Sequence, residues 1–319
     1  MGFLLLFSMS VINYCLKRLL IATGMFSFML STIGLVAIAL AATNHAHAEV
    51  IDIVRFHQPH PKEDLRYLYT TELIELSLKK TQPLYGDYRI QQSHNPMARD
   101  RVLRQLIKGQ TINAFVAATN SEWESKTIPI RIPIFKGLLS YRLLLINAKD
   151  QYKFNKIIDA EQLKQLQAGL KPQWTTTLLM QANNFPIVKG NTYKGLFAML
   201  SRGRFDYFPR GINEIFVEFD KNHDQFPNIV IESNLVIYLP SPSYLFISQT
   251  HPRLAERIST GLEMMVIDGS FDEIFYRYHS ENIKKAKLEN RRVINIENTW
   301  LPPLTPLSNK SLWYQPDFK

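Results

Sequence analysis

Alternating strand and helix patterns run through the sequence from residue 50 to residue 290, and they constrain the fold more than any other feature. Short apolar or β-branched runs, such as 50–56 and 141–147, alternate with stretches whose apolar residues recur at helical spacing, such as 99–108 and 252–267. This alternation is typical of mostly parallel sheets covered by helices. The sequence therefore predicts an α/β fold.

The composition is that of an ordinary globular protein. Of the 319 residues, 46% are hydrophobic, 20% charged and 12% aromatic, which excludes a disordered chain or a coiled coil as the main architecture. This length suffices for about two domains. The net charge is +9, but the lysines and arginines form no run, so the sequence predicts no nucleic-acid partner.

The first 48 residues are typical of a secretory signal peptide. Lys17 and Arg18 precede an uncharged stretch at 19–42, and Ala46-His47-Ala48 supplies a small-x-small cleavage site. We expect cleavage after Ala48 and export to the periplasm. A membrane-anchored form is the alternative, because an uncharged run of this length suffices to span a bilayer.

The sequence offers little of the chemistry that most metalloproteins and hydrolases need. Its single cysteine, Cys15, lies inside the predicted signal peptide, which excludes disulfides and thiolate chemistry from a mature chain. His57 and His60 have no third ligand nearby, and the polar turn at 220–224 lacks the glycine and glutamate that complete a calcium loop. The sequence predicts no metal and no cofactor.

Several local motifs follow one another in a fixed order. They are Ala117-Ala118-Thr119 with 130–137, then 159–169 with Trp174-Thr175-Thr176-Thr177, then Gly203-Arg204-Phe205-Asp206-Tyr207-Phe208, and finally 254–274 with Asp268-Gly269 inside it. In this order the chain resembles the type II periplasmic solute-binding proteins, in the branch related to the amino-acid-binding components of ABC transporters. The segment 208–215, Phe-Pro-Arg-Gly-Ile-Asn-Glu-Ile, resembles a set of uncharacterised bacterial substrate-binding domains.

This resemblance implies a two-lobed fold, in which each lobe is a mostly parallel sheet flanked by helices and two hinge crossovers join the lobes. Lobe one would comprise residues 49–140 and 240–319, and lobe two residues 141–239. The resemblance also implies a function. The chain would act as a monomer that captures a small ligand in the cleft between the lobes and delivers it to a membrane permease or a sensor.

Two positions depart from the pattern of the amino-acid-binding members. Glu122 stands where those proteins place the arginine that holds the ligand carboxylate, and Arg210-Gly211 stands where they place the aspartate that holds the ligand amino group. We therefore do not carry over α-amino-acid binding, and we expect an anionic or zwitterionic ligand held by the Arg210 fork. The alternative is that Arg210 pairs with Glu214, or with another carboxylate of lobe two, for structural reasons only.

Further residues are candidates for ligand contact because they lie near expected helix N-termini or at the cleft. The full predicted set of ligand-binding residues is Arg210, Thr175, Thr176, Trp123, Glu122, Asn213 and Glu214. The alternatives are that Thr175 caps its own helix and that Trp123 packs in the core.

Two other functions remain open at this point. The fold also supports dehydratases, and a lyase would use Glu122 and Glu214 as its acid–base pair. An envelope protein that binds no ligand is the third reading of the same sequence.

Overall fold

The computed structural model describes residues 51–57, 65–93, 97–316 and 318, and for residues 65–67 it describes the backbone alone. The predicted signal peptide at 1–48, with Cys15 inside it, and His60 lie outside the described residues.

Two mixed β-sheets organise the described residues. The first sheet contains β1 (Asp52–His57), β2 (Tyr88–Ser93), β3 (Ala114–Ala118), β4 (Ile128–Ile130) and β11 (Ser243–Ile247), in the order β2-β1-β3-β11-β4. β1 is parallel to β2 and β3, whereas β11 is antiparallel to β3 and β4. Pro129 is accommodated in the edge strand β4, and Pro133 lies beyond the end of that strand.

The second sheet has the order β12-β10-β5-β8-β6-β7, with β9 also paired to β5. Its strands are β5 (Tyr141–Asn147), β6 (Ala168–Leu170), β7 (Ile187–Lys189), β8 (Tyr207–Gly211), β9 (Ile229–Ile231), β10 (Leu235–Tyr238) and β12 (Arg292–Asn295). β6 is parallel to β7 and β8, and β5 is antiparallel to β8, β9 and β10. The predicted α/β class is confirmed, and both sheets are mixed because β11 in the first sheet and β5 in the second run antiparallel to their neighbours.

Helices flank both sheets. They are α1 (Leu65–Lys80), α2 (Gln82–Tyr85), α3 (Arg99–Lys108), α4 (Ser121–Lys126), α5 (Gln151–Asn155), α6 (Ala160–Leu163), α7 (Thr175–Ala182), α8 (Tyr193–Ser201), α9 (Ile212–His223), α10 (Pro252–Ile267) and α11 (Ser270–Ala286). The predicted bounds of α3 and α10 are confirmed. α3 ends because Gly109 takes the left-handed conformation, with φ 68°, and donates its N–H to the Gln105 carbonyl at 3.0 Å.

The sequence Asp159-x-x-Gln162 is typical of a capping box and predicts a helix from there to Gly169, and the structure agrees with this prediction only in part. Its capping box forms, since the Asp159 carboxylate accepts the Gln162 N–H at 2.8 Å and the Gln162 side chain accepts the Ile158 N–H at 2.9 Å. The helix nevertheless ends at Leu163, and Gly169 lies in β6. A Cβ at Gly169 would lie 2.1 Å from the Phe205 ring, so the glycine allows close packing and does not end a helix.

The chain passes between the sheets at residues 131–140 and again at 239–242, where the crossovers are predicted. A further passage through α10 and α11 brings β12 beside β10 in the second sheet. β12 falls within the range 240–319 predicted for lobe one, and the lobe boundaries remain a prediction.

The proline-rich C-terminal segment packs along the first passage. The Trp313 ring lies against Gly137, where a Cβ would approach it to 2.4 Å. The Tyr314 N–H donates to the Lys136 carbonyl at 2.7 Å, and the rings of Tyr314 and Tyr141 meet edge to face at 6.2 Å. These contacts pack the C-terminal segment onto the body of the protein.

Candidate functional site

The carboxyl edge of the second sheet brings a group of polar and aromatic side chains together. β6 and β8 are parallel and both end at this edge, and α7 and α9 begin just beyond them. β5 runs the other way, so its second residue, Arg142, lies directly beside Gly211 at the end of β8. We call this group the edge cluster; its members are Arg142, Trp174, Tyr193, Arg210, Asn213, Glu214 and Glu218.

Arg210 is the centre of an ion-pair network within the edge cluster. Its Nε and Nη2 donate to the two carboxylate oxygens of Glu218 at 2.5 and 2.6 Å, and Nη2 lies 3.0 Å from Glu214 Oε2. Only 6% of the residue is exposed. A bidentate guanidinium–carboxylate pair of this kind is strong and geometrically specific, so the Arg210 fork already has an occupant.

Aromatic rings surround the same guanidinium. Its central carbon lies 4.7 Å from the ring centroid of Trp174, 5.2 Å from that of Phe208 and 5.8 Å from that of Tyr193. Cation–π contacts at these distances favour the charged form and fix the orientation of the fork.

The electrostatic surroundings separate the two arginines of the edge cluster. Burial by itself would lower the pKa of Arg210, but Glu214 and Glu218 outweigh burial and raise it above its ordinary value. Burial lowers the pKa of Arg142 to about 10, which the nearby Glu214 opposes and the nearby Arg210 reinforces. Arg210 is thus compensated by two carboxylates, whereas Arg142 is desolvated without full compensation.

Thr175 and Thr176 occupy the first turn of α7. Trp174 is the N-cap residue and makes no side-chain capping bond, so the alternative in which Thr175 caps the helix is not what the structure has. Thr176 is buried and Thr175 is half-buried.

Asn213 and Glu214 occupy the first turn of α9. The Glu214 carboxylate accepts the Gly211 N–H at 3.3 Å and so closes the helix start in addition to pairing with Arg210. Asn213 is 8% exposed, and its Oδ1 is buried without a hydrogen-bond partner among the described residues.

The remaining predicted residues, Glu122 and Trp123, lie on α4 beside the first sheet. Trp123 is 2% exposed, and its ring contacts that of Phe246 at 5.3 Å and the Arg99 guanidinium at 4.9 Å. These surroundings match the alternative of core packing. Glu122 is exposed and pairs with Lys126, one helical turn later, at 2.7 Å.

No protein-family model matches the sequence, and no curated protein matches it either. Solved structures do match the fold. An ancestral arginine-binding protein bound to glutamine aligns with a TM-score of 0.51 at 16% identity, over 72% of this chain and 98% of its own. An ancestral arginine-binding protein bound to arginine aligns with a TM-score of 0.50 at 17% identity, over 71% of this chain and 97% of its own. The fold is that of the type II periplasmic solute-binding proteins.

Within this type II fold, the predicted site residues divide between the two sheets. Arg210, Asn213 and Glu214 come together in the edge cluster, and Thr175 and Thr176 follow its Trp174 directly. Glu122 and Trp123 belong to the other sheet. Whether any of them contacts a ligand remains a prediction.

Four residues of the edge cluster are absent from the set predicted from the sequence, namely Arg142, Trp174, Tyr193 and Glu218. Arg142 had a usable signal, because it is the one charged residue in the apolar run 141–147. Glu218 had none, because its spacing of eight residues from Arg210 corresponds to no regular contact along a helix or a strand.

The described residues contain neither a candidate metal-binding cluster nor a candidate membrane span. In that part of the chain, no three His, Cys, Asp or Glu residues group as a metal ion requires. None of its helices combines the length and the apolar character needed to cross a bilayer.

Proposed function

We propose that this chain is an exported solute-binding protein that captures a small ligand between its two lobes and delivers it to a transporter or a sensor in the membrane. The protein acts as a monomer in the periplasm and changes no bond of its ligand.

The edge cluster is the observation that carries this proposal. In an α/β sheet, ligands bind beyond the carboxyl ends of the strands, where helix N-termini point their free N–H groups at the ligand. The second sheet has two helices, α7 and α9, that begin at this edge. Polar side chains with opposite charges lie between them, and aromatic rings back them on one side.

Export is supported by the N-terminal sequence. A basic pair, a long uncharged stretch and a small-x-small site follow in the order that a signal peptide requires. The same stretch without cleavage would anchor the protein to the outer face of the inner membrane, which leaves the proposed function unchanged.

The charge distribution supports an anionic or zwitterionic ligand. The edge cluster holds two arginines and two glutamates. Arg210 is paired with both glutamates, whereas Arg142 forms no comparable ion pair within the described residues. Thr175, Thr176 and Asn213 would add hydrogen bonds to such a ligand.

Thermal unfolding against a ligand panel tests the proposal. The full-length chain is expressed, and the exported protein is purified and heated with amino acids, dicarboxylates, phosphorylated metabolites, sugars and polyamines. Arginine and glutamine belong in the panel because the two ancestral proteins of this fold bind them. A ligand at about 100 times its dissociation constant adds about 2.7 kcal/mol, which raises the midpoint of a chain of this size by roughly 5 °C.

Three outcomes are distinct. Saturable, stoichiometric binding with the ligand recovered unchanged supports the proposal. Conversion of the ligand would replace it with the lyase reading. A midpoint that no compound shifts would favour an envelope protein without ligand binding.

A further inference from the structure

Arg142 is a cation inside the second sheet and not at its margin. Its backbone lies between Gly211 of β8 on one side and Ile237 of β10 on the other. The rest of β5 consists of Tyr141 and apolar residues up to Asn147, and the four residues from 143 to 146 are fully buried. A charged residue costs stability in such a strand, so its presence calls for a physical reason.

The side chain of Arg142 shares a face of the sheet with the position of Gly211, because residues directly opposite each other in an antiparallel pair point the same way. Because Gly211 has no side chain, neighbouring groups approach its backbone closely on that face. A Cβ there would lie 2.9 Å from Asn213 Oδ1 and 3.4 Å from both Glu214 Oε2 and Leu139 Cδ2. Arg142, Asn213 and Glu214 therefore line the same small region beside Gly211.

In the part of the chain that the structure describes, two polar atoms of this region are buried without a hydrogen-bond partner. They are Arg142 Nε, a donor, and Asn213 Oδ1, an acceptor. Most buried polar groups are satisfied in folded proteins, and each exception requires an explanation. A ligand that carries an acid group with a hydrogen-bond donor next to it would satisfy both atoms. Its acid group would accept from Arg142 Nε, and its donor would bind Asn213 Oδ1.

The other charged groups of the edge cluster already have partners. Arg210 is held by Glu218 and Glu214, and Glu214 also accepts the Gly211 N–H. Asn213 lies in the first turn of α9, a helix of 12 residues whose N-terminus favours negative charge. Burial lowers the pKa of Arg142 to about 10, so it stays charged at neutral pH while incompletely solvated.

We propose that Arg142 binds the acid group of the ligand and that Asn213 Oδ1 assists by accepting a hydrogen bond from the group next to it. Arg210 is then a positioning residue that holds Glu214 and Glu218 in place. The ligand carries a carboxylate or phosphate that accepts hydrogen bonds from the Arg142 guanidinium. Next to that acid group it carries an N–H or O–H that donates to Asn213. This inference rests on the proposed solute-binding function and names the chemistry of its ligand.

The test compares the wild-type protein with Arg142→Met, Arg142→Lys and Asn213→Leu, each expressed from the full-length chain. The probes are glutamate, lactate, acetate and inorganic phosphate, followed by titration calorimetry and thermal unfolding. Glutamate and lactate carry a donor beside the acid group, acetate lacks it, and phosphate replaces the carboxylate, so the probes separate the two acid chemistries. The matched control is Arg277→Met, because Arg277 is an exposed arginine on α11.

We expect Arg142→Met to weaken binding of the best acidic probe about 30-fold or more, as the loss of a buried charge pair does. Arg142→Lys keeps the charge but not the fork and should retain only part of the affinity. Asn213→Leu should lower the affinity for glutamate or lactate but leave acetate unchanged. Without any probe, Arg142→Met should raise the unfolding midpoint by about 2 °C or more, since an incompletely compensated cation is removed.

The possible failures are separable. If an acidic probe binds Arg142→Met as tightly as wild type, or if Arg142→Met lowers the midpoint of the free protein, Arg142 is structural and the inference is wrong while the proposed function stands. If the wider panel shows binding of sugars or polyamines only, the protein still binds solutes and the acid subsite is wrong. If no compound binds, the proposed function and the inference fail together.

Discussion

Buried arginines occur at two places in this molecule, and their surroundings differ. In the first sheet, Arg257 on α10 is completely buried. Its guanidinium donates to the Asp52 carboxylate at 2.8 Å and to four further oxygens, on Leu78, Thr81, Gly86 and Asp87, at distances from 2.6 to 3.3 Å. In the second sheet, Arg142 Nε has no hydrogen-bond partner among the described residues, whereas its neighbour Arg210 forms ion pairs with two carboxylates. A satisfied cation holds elements together, whereas an unsatisfied one is available to a ligand.

The position of Arg257 explains what its bonds accomplish. They join α10 to the start of β1 and to the turn around α2, segments that lie about 170 to 205 residues away along the chain. Arg257 therefore links these segments of the first sheet at a position that is not exposed to solvent. Its guanidinium has no donor left for a solute. The comparison predicts opposite effects on stability for the substitution of a satisfied arginine, Arg257 or Arg210, and for the substitution of Arg142.

Arg257→Met should give the largest loss of stability. It leaves the Asp52 carboxylate, which is 8% exposed, with only the weaker contact to Arg253 at 3.3 Å. Removing one partner of a buried pair costs about 3–5 kcal/mol, measured as the free energy of unfolding in urea. Arg253→Met is the control, because that side chain is 45% exposed and reaches the same carboxylate; it should cost about 1 kcal/mol or less. Equal losses in the two variants would contradict the role assigned to Arg257.

Arg210→Met should be the next largest effect, about 2–4 kcal/mol, because two partly buried glutamates lose their cation. Arg210→Met should lower the free energy of unfolding, whereas Arg142→Met should raise it. This pair of variants therefore tests the comparison most directly. Urea unfolding measures both. The double variant Arg210→Met/Glu218→Gln should regain part of the loss, because one of the uncompensated charges is gone. A double variant that is less stable than the single one would show that charge is not the cause.

The partners of these arginines could be predicted from the sequence to different extents, because they lie at different distances along the chain. The helix that carries Arg257 was predicted from its apolar spacing, but Asp52 lies 205 residues away and only the fold brings them together. The pairing of Arg210 with Glu214 was foreseen as an alternative because four residues separate them. Glu218 and Arg142 required knowledge of where α9 and β5 lie relative to β8, which is tertiary information.

Tertiary contacts that the sequence does not show also decide where α11 ends and β12 begins. The sequence predicts a helix over 281–292, but α11 ends at Ala286, and residues 292–295 form β12. The helix ends because Lys287 takes a left-handed conformation with φ 47°, a position where a sequence signal would be a glycine. Pairing of β12 with β10 across the second sheet stabilises this departure from local preference.

His279 tests whether every open buried atom indicates a ligand. Its Nε2 has no partner, and its ring packs against Tyr69, Phe135 and Phe275 beside the first sheet. Burial lowers its pKa to about 4. Unlike arginine, a histidine loses its proton there, so the neutral ring needs no counter-ion and indicates no binding site.

The consequence is a loss of stability in acid. The unfolded chain takes up a proton on His279 near pH 6.5 and the folded chain only near pH 4. Stability contributed by the neutral ring is therefore present above pH 6.5 and is lost as the pH falls toward 4, by about 2–3 kcal/mol. Urea unfolding of wild type and His279→Phe between pH 7 and pH 4 measures the difference, and the variant should lose less. Identical pH profiles would show that His279 is solvated.

Glu122 should give the smallest effect, and it sets the lower end of the comparison. Its pair with Lys126 spans one turn of α4, and the two side chains are 57% and 49% exposed. Such pairs contribute at most about 0.5 kcal/mol, so Glu122→Gln should leave the urea midpoint nearly unchanged. Glu218→Gln is the matched substitution, because Glu218 is 15% exposed and binds Arg210 twice; it should cost at least about 1 kcal/mol. If Glu122→Gln instead weakens binding of an acidic probe tenfold without changing stability, the ligand reaches α4, and the distinction between a fastened first sheet and an open second sheet is wrong.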